Sequence, residues 1–394
     1  MKFHILTALV VAGAASLYAK DNQIGTGETD GYKLVWQDLF DAEELNPMRW
    51  DIEVNGDGGG NSELQYYTDR EVNVRLGDDG NGNGCLILTA RRENYMGKNF
   101  TSGRLNTKNR IAFTHGKIEA SIKMPKTANG LWPAFWMMGN DFDAVGWPRC
   151  GEIDIVEMGN SNGINAGTQE RYFNGACHWG QGWPNASYAK DTTKSYSLQD
   201  GEFHLFTMMW DENSIKMYVD LDKQPRQNPY YSMDIPANEP NNEWSPGNYF
   251  HKDNFILFDL AIGGNFTGIW DANKITALND ANGQEASMYI NYVRVYQKEN
   301  GVGNHTDFLD AGDAVTQEQQ EAAGVAEIEK ANENAITFDG NTITSDTPGI
   351  EVYTMSGQLV SSTPAYILTV NTLLPGLYII RSANSAKKII IPVR

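Results

Sequence analysis

"GEIDIVEMGN", Gly151 to Asn160, sets three carboxylates, Glu152, Asp154 and Glu157, among Ile153, Ile155, Val156 and Met158. Isoleucine and valine favour a pleated strand, whereas clustered like charges repel one another and resist burial. In a regular strand side chains alternate, so Glu152, Asp154 and Val156 share one face and Glu157 turns to the other. One extra residue around Ile155–Val156, a β-bulge, resets the alternation and returns Glu157 to the face of Glu152. The stretch predicts a bulged strand with three acids on one side and Ile153 in the core on the other.

Strand-like runs recur on both sides of it. From Tyr32 to Gln297, "YKLVWQ", "CLILTARR", "GKIEASIKM", "FHLFTMMW", "SIKMYVD", "FILFDLAI" and "SMYINYVRVYQ" are separated by turn signals, with no long helical period. Evenly spaced short strands indicate a two-sheet sandwich or a barrel. In "GKIEASIKMP", Lys117, Glu119, Ser121 and Lys123 alternate with Ile118, Ala120, Ile122 and Met124, the pattern of a half-buried antiparallel strand. The 10 tryptophans, 18 tyrosines and 39 glycines also suit an all-β protein.

The 394 residues suffice for one large domain or two modest ones, and their formal charge of −19 disfavours nucleic acid and anionic membranes as partners. Neutral ligands fit that charge better. Residues 1–19 read as a signal peptide, with Lys2, the apolar "ILTALVVAGAA" and a small residue at Ala19. The apolar run is too short to span a bilayer, and no transmembrane segment follows. Cys85, Cys150 and Cys177 form neither a disulfide framework nor a metal spacing. They read as small buried hydrophobes, with a Cys150–Cys177 bridge left open.

A compositional break follows Gln297. Residues 299–334 read as an acidic, Ala- and Gln-rich linker, and residues 335–394 as a small β-sandwich domain near the lower size limit for an independent core. Its "VYTMSGQLV", "LPGLYIIRS" and terminal "KKIIIPV" resemble the C-terminal sorting domain of type IX secretion substrates in the Bacteroidetes. That resemblance implies a Gram-negative source, passage through the secretion machinery, and a secreted or cell-surface location. An accessory carbohydrate-binding module is the alternative.

The bulged strand can be measured against chemistry. Glu152 and Glu157 would sit about four strand steps apart, and inward-leaning side chains would leave roughly 5–6 Å between carboxyls. Paired carboxyls that cleave glycosidic bonds with retention stand about 5–5.5 Å apart, and inverting pairs about 6.5–9.5 Å. Asp154 between them would raise a neighbour's proton affinity or orient it. A solvated acidic edge, or a cation site, is the competing use of three acids. In "LWPAFWMMG", Trp132, Ala134 and Trp136 share one parity, which suits a two-indole platform for pyranose rings or, alternatively, core packing. Asn61, Glu63 and Gln65 share a parity too, a polar strand face with Asn61 as the foremost sugar contact. Arg91 and Asn265 are weaker contacts.

Here the motifs resemble a family. "GEIDIVEMGN" is similar to the active-site strand of family-16 glycoside hydrolases with E-x-D-x-x-E spacing. "LWPAFWMMG", "GNSELQYYTDR", "LAIGGNFTG" and "YINYVRVYQ" match its laminarinase-type members in order, across residues 32–298. The resemblance implies a β-jelly-roll sandwich with a concave substrate cleft, Glu152 as nucleophile, Asp154 as its assistant and Glu157 as acid/base. It places His178, of "GACHWGQG", beside the first two as a hydrogen-bonding residue. It further implies a monomeric endo-β-1,3-glucanase acting on neutral laminarin-like glucans, with mixed-linkage β-1,3-1,4-glucan as a side substrate. No cofactor is required. A structural calcium stays open, because Asn291 stands where many relatives have Asp. The rival readings are a non-catalytic glucan-binding protein on the same scaffold, a hydrolase of agar or carrageenan, and a calcium-dependent adhesin.

Overall fold

The computed structural model describes residues 31–80, 82–182, 191–224, 228–298, 308–310, 336–339, 341–354, 359–370, 373, 376–382 and 385–391. The expected signal peptide, and all of the expected linker except 308–310, lie outside the described residues. The chain divides into two compact units, Met1–Gly312 and Asp313–Arg394.

The larger unit is a β-jelly-roll sandwich of a 9-stranded and a 10-stranded sheet. Across the 9-stranded sheet the main order is Asp191–Thr193, Tyr172–His178, Glu152–Met158, Leu131–Gly139, Asn254–Ile262, Arg104–Asn106 and Asp51–Ile52, antiparallel throughout. The 10-stranded sheet is built around Gly116–Lys123, Glu285–Lys298 and Gly84–Tyr95. Strand alternation sorts the side chains of the first sheet. Phe135, Met137, Ile153, Phe173, Cys177, Ile256 and Phe258 enter the common core, while their neighbours of opposite parity face outward. Each large apolar side chain so buried contributes roughly 1.5–3 kcal/mol, which fixes register strongly, because a one-residue slip would invert every face.

Two expectations change. Lys117 and Glu119, expected on a solvated face, are both buried, 3.8 Å apart. The Tyr296 hydroxyl donates to Glu119 at 2.8 Å and the Lys117 ammonium lies 3.9 Å from the Tyr296 ring centroid, so pairing offsets the cost of burial. Phe308–Asp310, within the expected linker, forms a strand against Ile111–Phe113. The smaller unit has a 3-stranded and a 4-stranded sheet with its own core of Ile336, Ile343, Ile350, Val352, Val370, Tyr378 and Ile380. Among the described residues, no helix is long and apolar enough to cross a membrane.

Candidate active site

The Glu152–Met158 strand bulges. Asp154 pairs with Ala176 and Glu157 with Asn174, so one partner strand advances two residues while this one advances three. On its other side, Asp154 faces Trp136, Val156 faces Phe135 and Glu157 faces Ala134, which makes Ile155 the extra residue. Ile155 and Val156 are both in the core, and the carbonyl of Ile155 accepts a hydrogen bond from the Tyr230 hydroxyl. A backbone group that the ladder leaves unpaired is thereby satisfied. The strand ends at Gly159, with φ 96°, where a Cβ would meet the Leu131 carbonyl oxygen at 1.9 Å. Only glycine fits that close approach.

Three rungs of the sheet then carry the polar groups of a cleft of about 1030 Å³. His178 and Glu152 share one rung, Ala176, Asp154 and Trp136 the next, and Asn174, Glu157, Ala134, Asp259 and Arg104 the third. Each of these residues lines the cleft. His178 Nε2 lies 3.1 Å from Asp154 Oδ2 and 3.8 Å from Glu152 Oε1. Indole N–H groups hold the carboxyls. Trp147 donates to Glu152, Trp132 to Glu157 Oε1 at 3.0 Å, and Trp136 to Asp259 Oδ1 at 2.7 Å.

A second polar cluster adjoins the first. The Tyr67 hydroxyl is 3.1 Å from Glu63 Oε2 and 3.3 Å from Asp259 Oδ2, and Gln65 Nε2 donates to Glu63 Oε2 at 2.6 Å. Arg104 Nε sits 3.0 Å from Glu53 Oε1, and its guanidinium carbon lies 4.9 Å from the Trp136 ring centroid. One hydroxyl hydrogen serves two carboxyls only if one of them holds a proton. Accordingly, burial pushes the Glu63 carboxyl up and that of Asp259 up to about 7, with Arg104 opposing both.

The same physics governs the three acids. Burial, then the charge of Asp154, pushes Glu152 up to about 8. Burial and then Asp259 push Asp154 up to about 8, and burial and then Asp154 push Glu157 well up. His178 opposes the rise at Glu152 and Glu157, and the Trp147 and Trp132 hydrogen bonds act in the same direction. Burial and mutual repulsion therefore oppose three full charges on these acids at neutral pH. Such an array can supply one proton and one carboxylate to the same bond.

Of the residues picked out in the sequence, Glu152, Asp154, Glu157, His178, Trp132, Trp136, Asn61 and Asn265 line the cleft. Three readings change. Arg91 lies on the other sheet, in Gly84–Tyr95, and pairs with Glu285 and with Glu93 at 3.9 Å. Parity showed that it ended an apolar strand, but not which sheet that strand joins. Trp132 and Trp136 face the cleft without forming an open platform, each being only 9% exposed. Phe266 is stacked on Trp132 at 4.5 Å and Arg104 covers Trp136, because the indoles serve the carboxyls. The expected polar strand face begins only at Gln65, since Asn61 lies in the preceding turn and its carbonyl accepts the Asn265 N–H at 2.8 Å.

Arg104, Asp259, Trp147 and Phe266 were missed. An aspartate inside the apolar "FILFDLAI" is the same signal that marked "EIDIVE", and it could have found Asp259. The three cysteines are buried and unbridged. At the position where calcium stayed open, Asn291 Nδ2 donates to the Gly84 carbonyl at 3.0 Å. Glu152, Asp154 and His178 have ligand atoms within 4.8 Å of one another. A histidine nitrogen there does not suit calcium, which takes oxygen ligands.

A family model described as "Glycosyl hydrolases family 16" matches residues 62–242. The chain is 32% identical over 309 residues to "Glucan endo-1,3-beta-glucosidase A1" of Niallia circulans, covering 71% of this chain and 40% of that protein. It is 30% identical over 273 residues to "Beta-glucanase" of Rhodothermus marinus, covering 68% of this chain and 85% of that one. It also matches the solved GH16 protein of the Bacteroides ovatus mixed linkage glucan PUL, in complex with a G4G4G3G product. That match has 41% identity and a TM-score of 0.57, over 66% of this chain and 99% of the other.

Proposed function

The chain belongs to glycosyl hydrolase family 16, and we propose that it is an endo-β-1,3-glucanase that cleaves internal bonds of laminarin-like glucans with retention. The observation that carries the reading is the bulge, which turns Glu152, Asp154 and Glu157 onto one cleft wall with an indole N–H on each of the two glutamates. Glu157, whose proton is favoured by burial and by the neighbouring Asp154, gives it to the glycosidic oxygen as the C1–O bond breaks. Glu152, ionised with the help of His178 and Trp147, attacks C1 and forms a glycosyl ester. Protonated Asp154 hydrogen-bonds the Glu152 carboxylate and spares the site a second charge beside it. Glu157, now a carboxylate, takes a proton from water, whose oxygen attacks C1 and releases Glu152.

The cleft needs no cofactor for these steps. A neutral polymer suits a chain whose net charge is −19. Mixed-linkage β-1,3-1,4-glucan is the second substrate, and the 41% identity to a structure holding a G4G4G3G product supports it. We read the C-terminal unit as a sorting module for a secreted or cell-surface enzyme, on the strength of its "VYTMSGQLV" and "KKIIIPV" segments.

Parallel digests of laminarin, lichenan and agarose, with linkage analysis of the products, test the substrate. Oligosaccharides from the two glucans support the assignment, and products from agarose alone overturn it. Activity that survives a chelator separates hydrolysis from a cation-dependent adhesin. Proton NMR of the first products reports stereochemistry, and early appearance of the inverted anomer would exclude retention.

A further inference from the structure

Trp270 is the most exposed tryptophan of the described residues, at 59% relative exposure. It stands at the end of the Gly263–Trp270 loop, whose Asn265 and Phe266 line the cleft. Its indole N–H donates to Asn265 Oδ1 at 3.1 Å. The polar edge of the ring is therefore engaged, and what it offers solvent is an apolar face.

The loop is held from several sides. The Gly264 N–H donates to the Ile269 carbonyl at 2.8 Å, the Gly268 N–H to Gly264 at 3.0 Å, and the Asn265 N–H to Asn61 at 2.8 Å. Buried Thr267 donates to the Gly264 carbonyl at 3.2 Å and accepts from the Ile269 N–H at 3.2 Å. Just beyond Trp270, the Arg92 guanidinium donates to the carbonyls of Ala272, Ile275 and Leu278 at 3.1, 2.8 and 2.6 Å. The ring is thus an exposed apolar surface on fixed backbone, which loses little freedom when a ligand covers it.

We propose that Trp270 is an outlying sugar subsite. A glucan chain that leaves the cleft past Asn61 and Asn265 packs the C–H face of a pyranose ring on the indole. The inference rests on the β-glucan reading of the cleft. Two neutral, partly apolar surfaces leave water together, with no charge to desolvate. Such contact is the same in ground and transition states, so it lowers KM and leaves kcat alone. It acts only on chains long enough to reach it.

The test is steady-state kinetics of Trp270→Ala and Trp270→Phe in the full chain, on laminarin, barley β-glucan and glucan oligosaccharides of increasing length. For the alanine variant KM on the polymers should rise about 3- to 10-fold, with kcat within twofold of wild type. The penalty should vanish below a threshold chain length, and phenylalanine should restore most of the affinity. Unchanged KM at every length, an equal penalty at every length, or a fall in kcat would each overturn the subsite while wild-type hydrolysis of glucan kept the parent reading intact. A wild-type protein inactive on every β-glucan would remove both. Melting temperatures of the variants within a few degrees of wild type separate lost binding from lost folding, and a large drop in both assigns Trp270 a packing role instead.

Discussion

The Trp132 indole N–H donates to Glu157 Oε1 at 3.0 Å while Phe266 lies against the same ring, centroids 4.5 Å apart and planes 10° from parallel. One ring thus orients the proposed proton donor and is itself fixed by a neighbour. The hydrogen bond also holds the Glu157 carboxyl below where burial alone would leave it. Trp132→Phe keeps the stack and removes the N–H. The expected result is a fall in kcat of roughly tenfold, the worth of one oriented hydrogen bond. The alkaline limb of the kcat profile should move to higher pH, because Glu157 then keeps its proton longer. Stopped assays on laminarin from pH 5 to 10 read both, and a limb that stays in place would break the link between Trp132 and Glu157.

Asp259 predicts a shift of the opposite sign. Its charge, second only to burial, pushes the Asp154 carboxyl upward. Asp259→Asn removes that charge yet leaves an oxygen for the Trp136 N–H. Asp154 should then lose its proton at lower pH, and the alkaline limb should move down by about 0.5–1 pH unit. A pH profile identical to wild type would show that Asp259 is a packing group only.

The sequence reading succeeded where one strand's own alternation held the answer. Glu152, Asp154 and Glu157 could share one face only through a bulge around Ile155–Val156, and the ladder slips there, at Ile155. It stopped where the answer depended on another strand. Arg91 and Arg104 look alike in the chain, each next to a strand of small or apolar residues, and only pairing sends the second to Asp259 and the first to the other sheet. Lys117 and Glu119 read as solvated because nothing local announces that Tyr296, far along the chain, reaches them. The indole platform failed for a related reason. Parity gave the correct face for Trp132 and Trp136, but the carboxyls that would claim their N–H groups come from different strands.

Glu152→Gln separates catalysis from binding and also reports on stability. Hydrolysis should fall by at least about a thousandfold, with oligosaccharide binding retained. Glu152 is pushed up to about 8 by burial and by Asp154, from an ordinary value of 4.5. A carboxyl raised by folding favours the folded state below about pH 4.5, and that advantage is lost as pH rises through about 8. Glutamine cannot ionise, so the variant should melt about 2–4 °C above wild type at pH 9 and close to it at pH 4. Calorimetry at the two pH values checks this, and a lower melting point at pH 9 would contradict it.

His204, away from the cleft, predicts a pH effect on stability without one on chemistry. Its Nδ1 lies 2.9 Å from Asp220 Oδ2 and its Nε2 3.1 Å from Asp200 Oδ1, while the Tyr196 hydroxyl donates to Asp220 Oδ2 at 2.6 Å. Burial opposes protonation, but the hydrogen bonds and charges of the two aspartates outweigh it, and the imidazole is raised above 6.5. Asp220 and Asp200 are held down in turn, by hydrogen bonds and by the imidazolium. A raised histidine contributes its stability in full below about pH 6.5, and that contribution disappears as pH climbs through its folded value. His204→Gln should therefore lower the melting temperature most at pH 6, by about 3–6 °C, and clearly less at pH 9. Specific activity on laminarin should stay within twofold at 25 °C, since none of these groups lines the cleft. A melting deficit equal at both pH values would mean that the clasp is held by packing and not by the charged imidazole.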